Sequence, residues 1–407
     1  MLKRTVIKIG GSLLEDPGAV ERTASMIIRE YTPEIQLVVV VSALKGETNR
    51  LKKLATDNFP HVFSQELDLL MASGEQAACA LMTTALKNLG RSAISMIAHQ
   101  IPIVTNNKHE DARIISVEKN RILRYLDEGN IVVVAGFQGV DENLNVTTLG
   151  RGGSDLTAVA IAAAIAADVC RLYKDAGGIF SADIRIPGIK AIKRHTFSID
   201  ELIELTSSGA KIVHSRAAIM AKIYKVKLEI VPESEDEIRG TAIIEEEEMD
   251  PTEKHVVTAI TGITNEMKVS IFGVPNEPKV AGKIFKTLEN QGVNVNMIIQ
   301  NISQTPRSDL TFTAPLEQKE QIEKAMAIVA KNTVLSSISF NEDIATISLV
   351  GAGMKSNSGV AADCFTLLGE QNININGIST SEIKISMIIE KKRCDEAIRL
   401  LHKHFIG

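Results

Sequence analysis

From Thr5 to Val231 the hydrophobic positions alternate between two textures. Short apolar, mostly β-branched runs recur at Thr5–Ile9, Leu37–Val41, Ile131–Ala135, Val169–Tyr173 and Lys227–Val231. Apolar runs without polar alternation predict strands covered on both faces. The stretches Glu66–Leu89, Val117–Leu126, Leu156–Ala167 and Ala210–Tyr224 read as helices. Strands alternating with helices predict a mostly parallel sheet between helix layers, an α/β fold.

The pattern changes at Pro232. Two acidic clusters, Glu233–Glu237 and Glu245–Glu248, bracket a short apolar stretch, Thr241–Ile244, and read as a solvated domain boundary. Consecutive glutamates point in different directions, which argues against a metal site. An internal repeat follows. Val269-Ser270-Ile271-Phe272-Gly273 is echoed by Ile347-Ser348-Leu349-Val350-Gly351, and Gln291–Asn296 by Gln371–Asn376. In the first copy a strand, a helix and a strand follow, at Leu310–Ala314, Glu317–Lys331 and Val334–Phe340. That order is βαββαβ, so two ferredoxin-like modules are expected.

Composition narrows the function. The chain has 407 residues and a formal charge of −5, with 4% aromatics and no Trp. A mildly acidic, ring-poor chain is a poor nucleic-acid binder, since neither phosphate backbone nor stacked bases find a surface. The longest apolar run, Ala158–Ala167, is ten residues, about half of what a bilayer requires, so no membrane partner is expected. Lys8 and two glycines interrupt the apolar stretch behind the basic start, so no secretory segment forms there. Cys79, Cys170, Cys364 and Cys394 are too scattered for a zinc or redox pair. These features point to the cytoplasm.

Three segments carry candidate chemistry. Lys8-Ile9-Gly10-Gly11-Ser12 follows the first strand; its backbone N–H groups and Lys8 suit phosphate oxygens, although a Gly-Gly there serves equally as a tight turn. Gly150-Arg151-Gly152-Gly153-Ser154-Asp155 opens the Ala-rich helix, with Ser154 or Asp155 as N-cap and Arg151 able to grip a carboxylate. Lys174–Arg185 supplies a loop with acids and bases after another strand. Histidines offer little: His402 and His404 lie two apart on the last helix and face different ways, and His109 and His214 read as structural.

Taken together, these motifs resemble aspartate kinases. The likeness rests on Lys8–Ser12, Ser42-Ala43 through Gly46–Asn49, Ala72–Glu75, Gly136-Phe137-Gln138-Gly139 and Gly150–Asp155. It continues through Gln300–Ser303, Val350–Ser356 and Ser379–Ile383, which look like paired ACT domains. The resemblance implies an amino-acid kinase domain at 1–232, an acidic linker at 233–261, and ACT regulatory domains at 262–341 and 342–407. It implies transfer of the γ-phosphate of ATP, carried with Mg2+, to the side-chain carboxylate of L-aspartate. This is the first step of lysine, threonine and methionine biosynthesis.

Carried over by position, Lys8 neutralises the transferring phosphoryl and Asp155 orients Lys8. Thr48, Glu75, Arg151 and Ser154 hold aspartate, with Arg151 on the α-carboxylate and Glu75 on the ammonium. Gly10, Gly11, Ser42, Asp175, Phe180, Arg185, Lys211 and Ile212 line the nucleotide alongside Lys8. Asn276, Asn294, Asn296 and Gln300 line one effector site; Val360, Ala361, Asn374, Ile375, Ser381 and Glu382 line its counterpart. Lysine, threonine or both are the expected inhibitors, acting on a homo-oligomer joined through the ACT domains. No dedicated metal ligands are expected.

This chain also departs from the family's pattern. The family usually carries Thr or Ser, then Asp-Val-Asp-Gly, where this chain has Lys174-Asp175-Ala176-Gly177-Gly178. Phe180 replaces a Tyr, Ile184 and Ser215 replace prolines, and Asn276 replaces an Asp. Two rival readings stand beside the kinase of aspartate. One is a kinase for another carboxylate, such as acetylglutamate; the other is a non-catalytic amino-acid sensor whose nucleotide loop has decayed. An internal start near Met249, yielding a separate regulatory chain, is also open.

Overall fold

All five apolar runs become strands of one eight-stranded sheet. In spatial order its strands are Thr196–Ser198, Thr241–Ile244, Leu228–Pro232, Val169–Lys174, Lys3–Ile9, Ile35–Val41, Ile131–Ala135 and Ala93–Met96. Every neighbouring pair is parallel except Leu228–Pro232 with Thr241–Ile244. Ile7, Ile9, Val39, Val41 and Val133 pack on one face against Ala24, Ile27, Ala78, Met82 and Leu86 of two helices. Their neighbours Val6, Val38, Val40, Val132 and Val134 are fully buried too. Both faces are therefore covered, which is why these strands show no polar alternation. Each such side chain contributes about 1.5–3 kcal/mol on burial.

The computed structural model describes residues 2–233, 240–246, 256–302, 307–352, 354 and 359–407. Residues 234–237, 247 and 248 of the acidic clusters lie outside these, as do Met249, Ser303, Gly353, Lys355 and Ser356. Among the described residues no helix is long and apolar enough to cross a membrane.

Two sequence expectations shift here. The Ala-rich helix runs Gly153–Ala164, and its cap is Gly152 in the left-handed conformation (φ 76°), not Ser154 or Asp155. A Cβ on Gly152 would lie 2.9 Å from the His214 ring, so only glycine turns the chain there. Thr241–Ile244, expected inside a solvated boundary, is a strand of the main sheet instead. Its alternate residues Thr241 and Ile243 are buried, and Thr241 Oγ1 accepts the Ile179 N–H at 2.9 Å.

The chain divides into two compact units. The first comprises Met1–Ile179, Lys193–Thr206 and Lys211–Met249; the second comprises Phe180–Ile192, Ser207–Ala210 and Asp250–Gly407. In the second, the strands Glu266–Pro275, Met297–Ile302, Arg307–Pro315 and Ser337–Asn341, with two helices, make one complete βαββαβ module. The other module has three strands of its own, Ile344–Val350, Gly377–Thr380 and Lys384–Glu390. Its fourth position, the one Ser337–Asn341 fills in the first module, is taken by Ala259–Ile263 from upstream. Phe180–Ile192 also packs in this unit: Ala182, Ile186 and Ile189 join the core of Ile398 and Leu401. Ser181 Oγ there lies 2.8 Å from Nε2 of the buried His402.

Candidate active site

In the first unit, the loops that leave the C-terminal ends of three adjacent strands converge. The Ser42 N–H donates to the Ile9 carbonyl (3.1 Å) and the Gly136 N–H to the Val41 carbonyl (2.9 Å). A Cβ on Gly11 would come within 3.0 Å of the Ala43 carbonyl, and one on Gly136 within 2.8 Å of Ser154 Oγ. The glycines thus let three loops and a helix N-terminus close on one point, the edge where parallel sheets bind ligands.

Asp155 lies at that point, in the first turn of the Gly153–Ala164 helix and 2% exposed. Lys8 Nζ sits 3.2 Å from its Oδ1, and Lys174 Nζ donates to its Oδ2 at 2.7 Å. The His214 N–H adds a third contact at 3.3 Å. Burial would raise the Asp155 carboxyl, but Lys174 and Lys8 outweigh it and hold the group well below the usual carboxylate range. Burial lowers Lys174 from its ordinary value, with Asp155 pulling back and Lys8 pushing further down.

Beside the lysines stands Glu233, which accepts a hydrogen bond from Ser12 Oγ at 2.7 Å. Burial raises its carboxyl, with Ser12 acting against it and the charge of Asp175 adding to the rise. Asp175 is exposed and its Oδ1 accepts the Ala176 N–H at 2.9 Å. Lys211 is exposed and Ile212 half-buried, just ahead of the Ser215–Tyr224 helix. Phe180 and Arg185 belong to the second unit, where Arg185 pairs with Asp183 at 2.7 Å.

The second carboxylate of this region is Glu75, 3% exposed on the Ser64–Asn88 helix. Its Oε1 accepts the Ala43 N–H at 3.2 Å, while Oε2 has no hydrogen-bond partner among the described residues. Burial pushes its carboxyl up to about 8. The same helix carries the fully buried Asp68, which accepts from His109 Nδ1 (2.8 Å) and the Thr148 N–H (3.1 Å), giving His109 a structural role. Thr48 is half-buried in the first turn of Glu47–Thr56, Ser154 is buried, and Arg151 is exposed.

Residues 3–232 match the model of the amino acid kinase family, and residues 269–332 and 347–405 each match an ACT domain model. The chain is 38% identical over 401 residues to an aspartate kinase of Pseudomonas putida, covering 98% of this chain and 97% of that one. It is 40% identical over 400 residues to an aspartokinase of Helicobacter pylori, covering 98% of each. The chain belongs to the aspartate kinase family. Its fold resembles that of E. coli aspartokinase III in complex with aspartate and ADP, with a TM-score of 0.84 and 20% identity over the whole of both chains. An aspartate kinase from Synechocystis is 33% identical, with a TM-score of 0.54, over 98% of this chain and 69% of that one. As a member of this family the chain is an ATP-dependent kinase.

Within that family frame, Lys174 and Glu233 are the residues sequence reasoning missed. In the sequence Lys174 reads as part of a candidate loop and as a departure from the family's pattern, with no role of its own, and Glu233 reads only as part of an acidic run. The expected effector residues lie in the second unit. Asn276, Asn294, Asn296 and Gln300 are exposed; the Asn294 N–H donates to Gln318 (2.9 Å), Asn296 bonds Glu266, and Gln300 reaches Ser308 (3.4 Å). Asn374 donates to Asn376 (3.0 Å), and both line a cavity of about 300 Å³ with Asn341, Asp343, Glu390 and Arg393. Val360 is buried, Ala361 and Ile375 are half-buried, and Ser381 and Glu382 are exposed.

Proposed function

We propose that the chain phosphorylates the side-chain carboxylate of L-aspartate at the expense of ATP, giving 4-phospho-L-aspartate. The observation that carries this reading is Glu75: a buried carboxyl with one oxygen anchored and the other unpartnered suits a ligand ammonium. An N-acylated substrate offers no ammonium, so the acetylglutamate reading loses ground. In this reading Lys8 and the Gly10–Gly11 backbone receive the phosphates, Arg151 receives the α-carboxylate, and Thr48 and Ser154 complete the pocket. Ser42, Asp175, Lys211 and Ile212 face the nucleotide. The aspartate carboxylate is already ionised near neutral pH, so no base is required. Positioning and charge stabilisation suffice for phosphoryl transfer.

Among the described residues no three His, Cys or acidic side chains converge as a metal site. Mg2+ carried with the nucleotide would bind through one or two carboxylates and the nucleotide's own phosphates. Asp175 and Glu233 are the carboxylates beside the lysines other than Asp155. When bound, the ion would neutralise phosphate charge.

Regulation by lysine, threonine or both, in a homo-oligomer of a cytoplasmic biosynthetic pathway, extends the reading to the second unit. Asn276 bears on which amino acid acts. A neutral amide in place of an Asp forfeits a charge-assisted bond to a ligand ammonium, so threonine inhibition is expected to be weak. The variant Asn276→Asp should tighten it roughly tenfold to a hundredfold. Strong micromolar threonine inhibition that survives Asn276→Ala would remove Asn276 from the site.

The direct test is ADP release measured with aspartate, with N-acetylglutamate and with neither. Turnover with aspartate alone supports the proposal. Turnover with N-acetylglutamate alone selects the other carboxylate kinase, and no turnover with either selects the amino-acid sensor.

A further inference from the structure

The Lys3–Ile9 and Val169–Lys174 strands are parallel, and their register pairs Lys8 with Leu172. Residues two apart on a strand share a face, so Lys174 stands on the face of Lys8, one pleat nearer the C-terminal edge. Gly10 and Gly11 turn away at that edge, and the Gly153–Ala164 helix presents its N-terminus there. One carboxylate, Asp155, therefore holds two ammonium groups, at 2.7 and 3.2 Å. A single counter-ion would leave Asp155 satisfied. The second adds a largely buried positive charge that Asp155 alone cannot balance, beside a helix end that is itself positive.

The other carboxylates facing Lys174 are less well placed to balance it. Asp175 is exposed, and Glu233 is turned onto Ser12. An excess of buried positive charge at a glycine-lined strand end is the setting for an incoming anion.

We propose that Lys174 is a second phosphoryl-binding lysine, clamping the γ-phosphate of ATP together with Lys8. This rests on the kinase reading above. In the step it serves, an oxygen of the substrate carboxylate attacks the γ-phosphorus. The bond from that phosphorus to the β,γ-bridging oxygen breaks, and ADP leaves with the electron pair. Charge migrates to the bridging oxygen while the γ-oxygens stay anionic, and two ammoniums on those oxygens lower the barrier without any proton transfer. The clamp also answers the loss of an acid at Gly177: the family's pattern has an acid there and a hydroxyl at position 174, and this chain has neither.

The test compares Lys174→Met and Lys174→Thr with wild type by calorimetric titration of ATP and of ADP, and by steady-state kinetics. ADP lacks the γ-phosphate, so a lysine that touches it affects ATP alone. The expected result is ATP affinity weakened roughly tenfold with ADP affinity unchanged. The expected kcat falls on the order of a hundredfold while KM for aspartate holds. Equal weakening of ATP and ADP would make Lys174 merely a positioning residue for Asp155, and unchanged ATP binding would overturn the clamp outright. Lys174→Arg, which keeps the charge, serves as a folded control and should retain the ATP preference. The binding arm needs no turnover, so an inactive wild type would defeat the functional proposal while the clamp could still be judged.

Discussion

Asp155 and Glu75 are buried to nearly the same extent, 2% and 3% exposed, yet they behave as opposites. Asp155 meets two ammoniums inside the protein and is held ionised far below the usual range. Glu75 meets one backbone N–H, and burial leaves it protonated up to about pH 8. The difference lies in who supplies the counter-charge. The protein supplies it for Asp155, which makes that end of the pocket a fixed, positively charged cradle. For Glu75 the protein supplies none, since its Oε2 has no hydrogen-bond partner among the described residues. Under the proposed function, one end is preorganised for phosphate, while the other is completed by a ligand that carries an ammonium group.

The largest way to break this contrast is Asp155→Asn. It leaves Lys8 and Lys174 facing each other without a carboxylate, and breaking a buried charge cluster costs about 3–5 kcal/mol. The expected outcome is loss of measurable turnover together with a clearly lowered denaturation midpoint. Adding Lys174→Met to Asp155→Asn removes one stranded charge and should recover part of the stability, though not the activity. If the double variant is less stable than the single one, the lysines are not repelling each other as this picture requires.

At the other end, if Glu75 receives the substrate ammonium as proposed, aspartate binding must ionise it. Below pH 8 that proton has to leave before an ammonium can dock, so KM for aspartate should rise as pH falls, approaching tenfold per unit. In Glu75→Gln the dependence should vanish while KM increases roughly tenfold to a hundredfold, through loss of the charge-assisted bond. Proton release on aspartate binding, read by calorimetry in buffers of different ionisation enthalpy, checks the same linkage. A flat pH profile in the wild-type enzyme would mean Glu75 does not face the ammonium.

Stability gives a smaller readout of the same group. A carboxyl raised from 4.5 to about 8 keeps its proton in the folded state after the unfolded chain has lost it. The native fold therefore binds the extra proton between those values, and its stability falls as pH rises across that window. Chemical denaturation from pH 4.5 to 8 should show this decline, and Glu75→Gln should flatten it.

How far these features were legible in the sequence follows from their range. Five strands of the first unit's main sheet were readable because burial on both faces removes polar alternation, a property of each strand by itself. The glycine segments marked the ligand edge because a strand followed at once by Gly-Gly or Gly-Arg-Gly-Gly is a local pattern. The Lys174–Asp155 contact is not local: it depends on the register between two strands and on the entry angle of a helix in between. Glu233 was hidden by its acidic neighbours, because an acid run looks the same whether or not its first member turns inward. The pairing of Ala259–Ile263 with the second module's sheet was hidden for a similar reason. Nothing in a five-residue strand states which partner it will choose.

The mildest perturbations act on the loops that seat the two carboxylates. Gly46 and Gly152 are both helix N-caps in the left-handed conformation, at φ 79° and 76°. Gly46 opens the helix just after Ala43, whose N–H binds Glu75; Gly152 opens the helix that carries Asp155. A Cβ on Gly46 meets nothing within 4 Å, whereas one on Gly152 meets the His214 ring at 2.9 Å. Gly46→Ala should therefore cost only the backbone term, about 1–2 kcal/mol. Gly152→Ala should cost more, because His214 must shift and its N–H is one of the donors on Asp155. The denaturation midpoints of the two variants, measured side by side, check this directly. Equal losses would mean the His214 contact relaxes freely, and the cradle around Asp155 would then be softer than its paired charges imply.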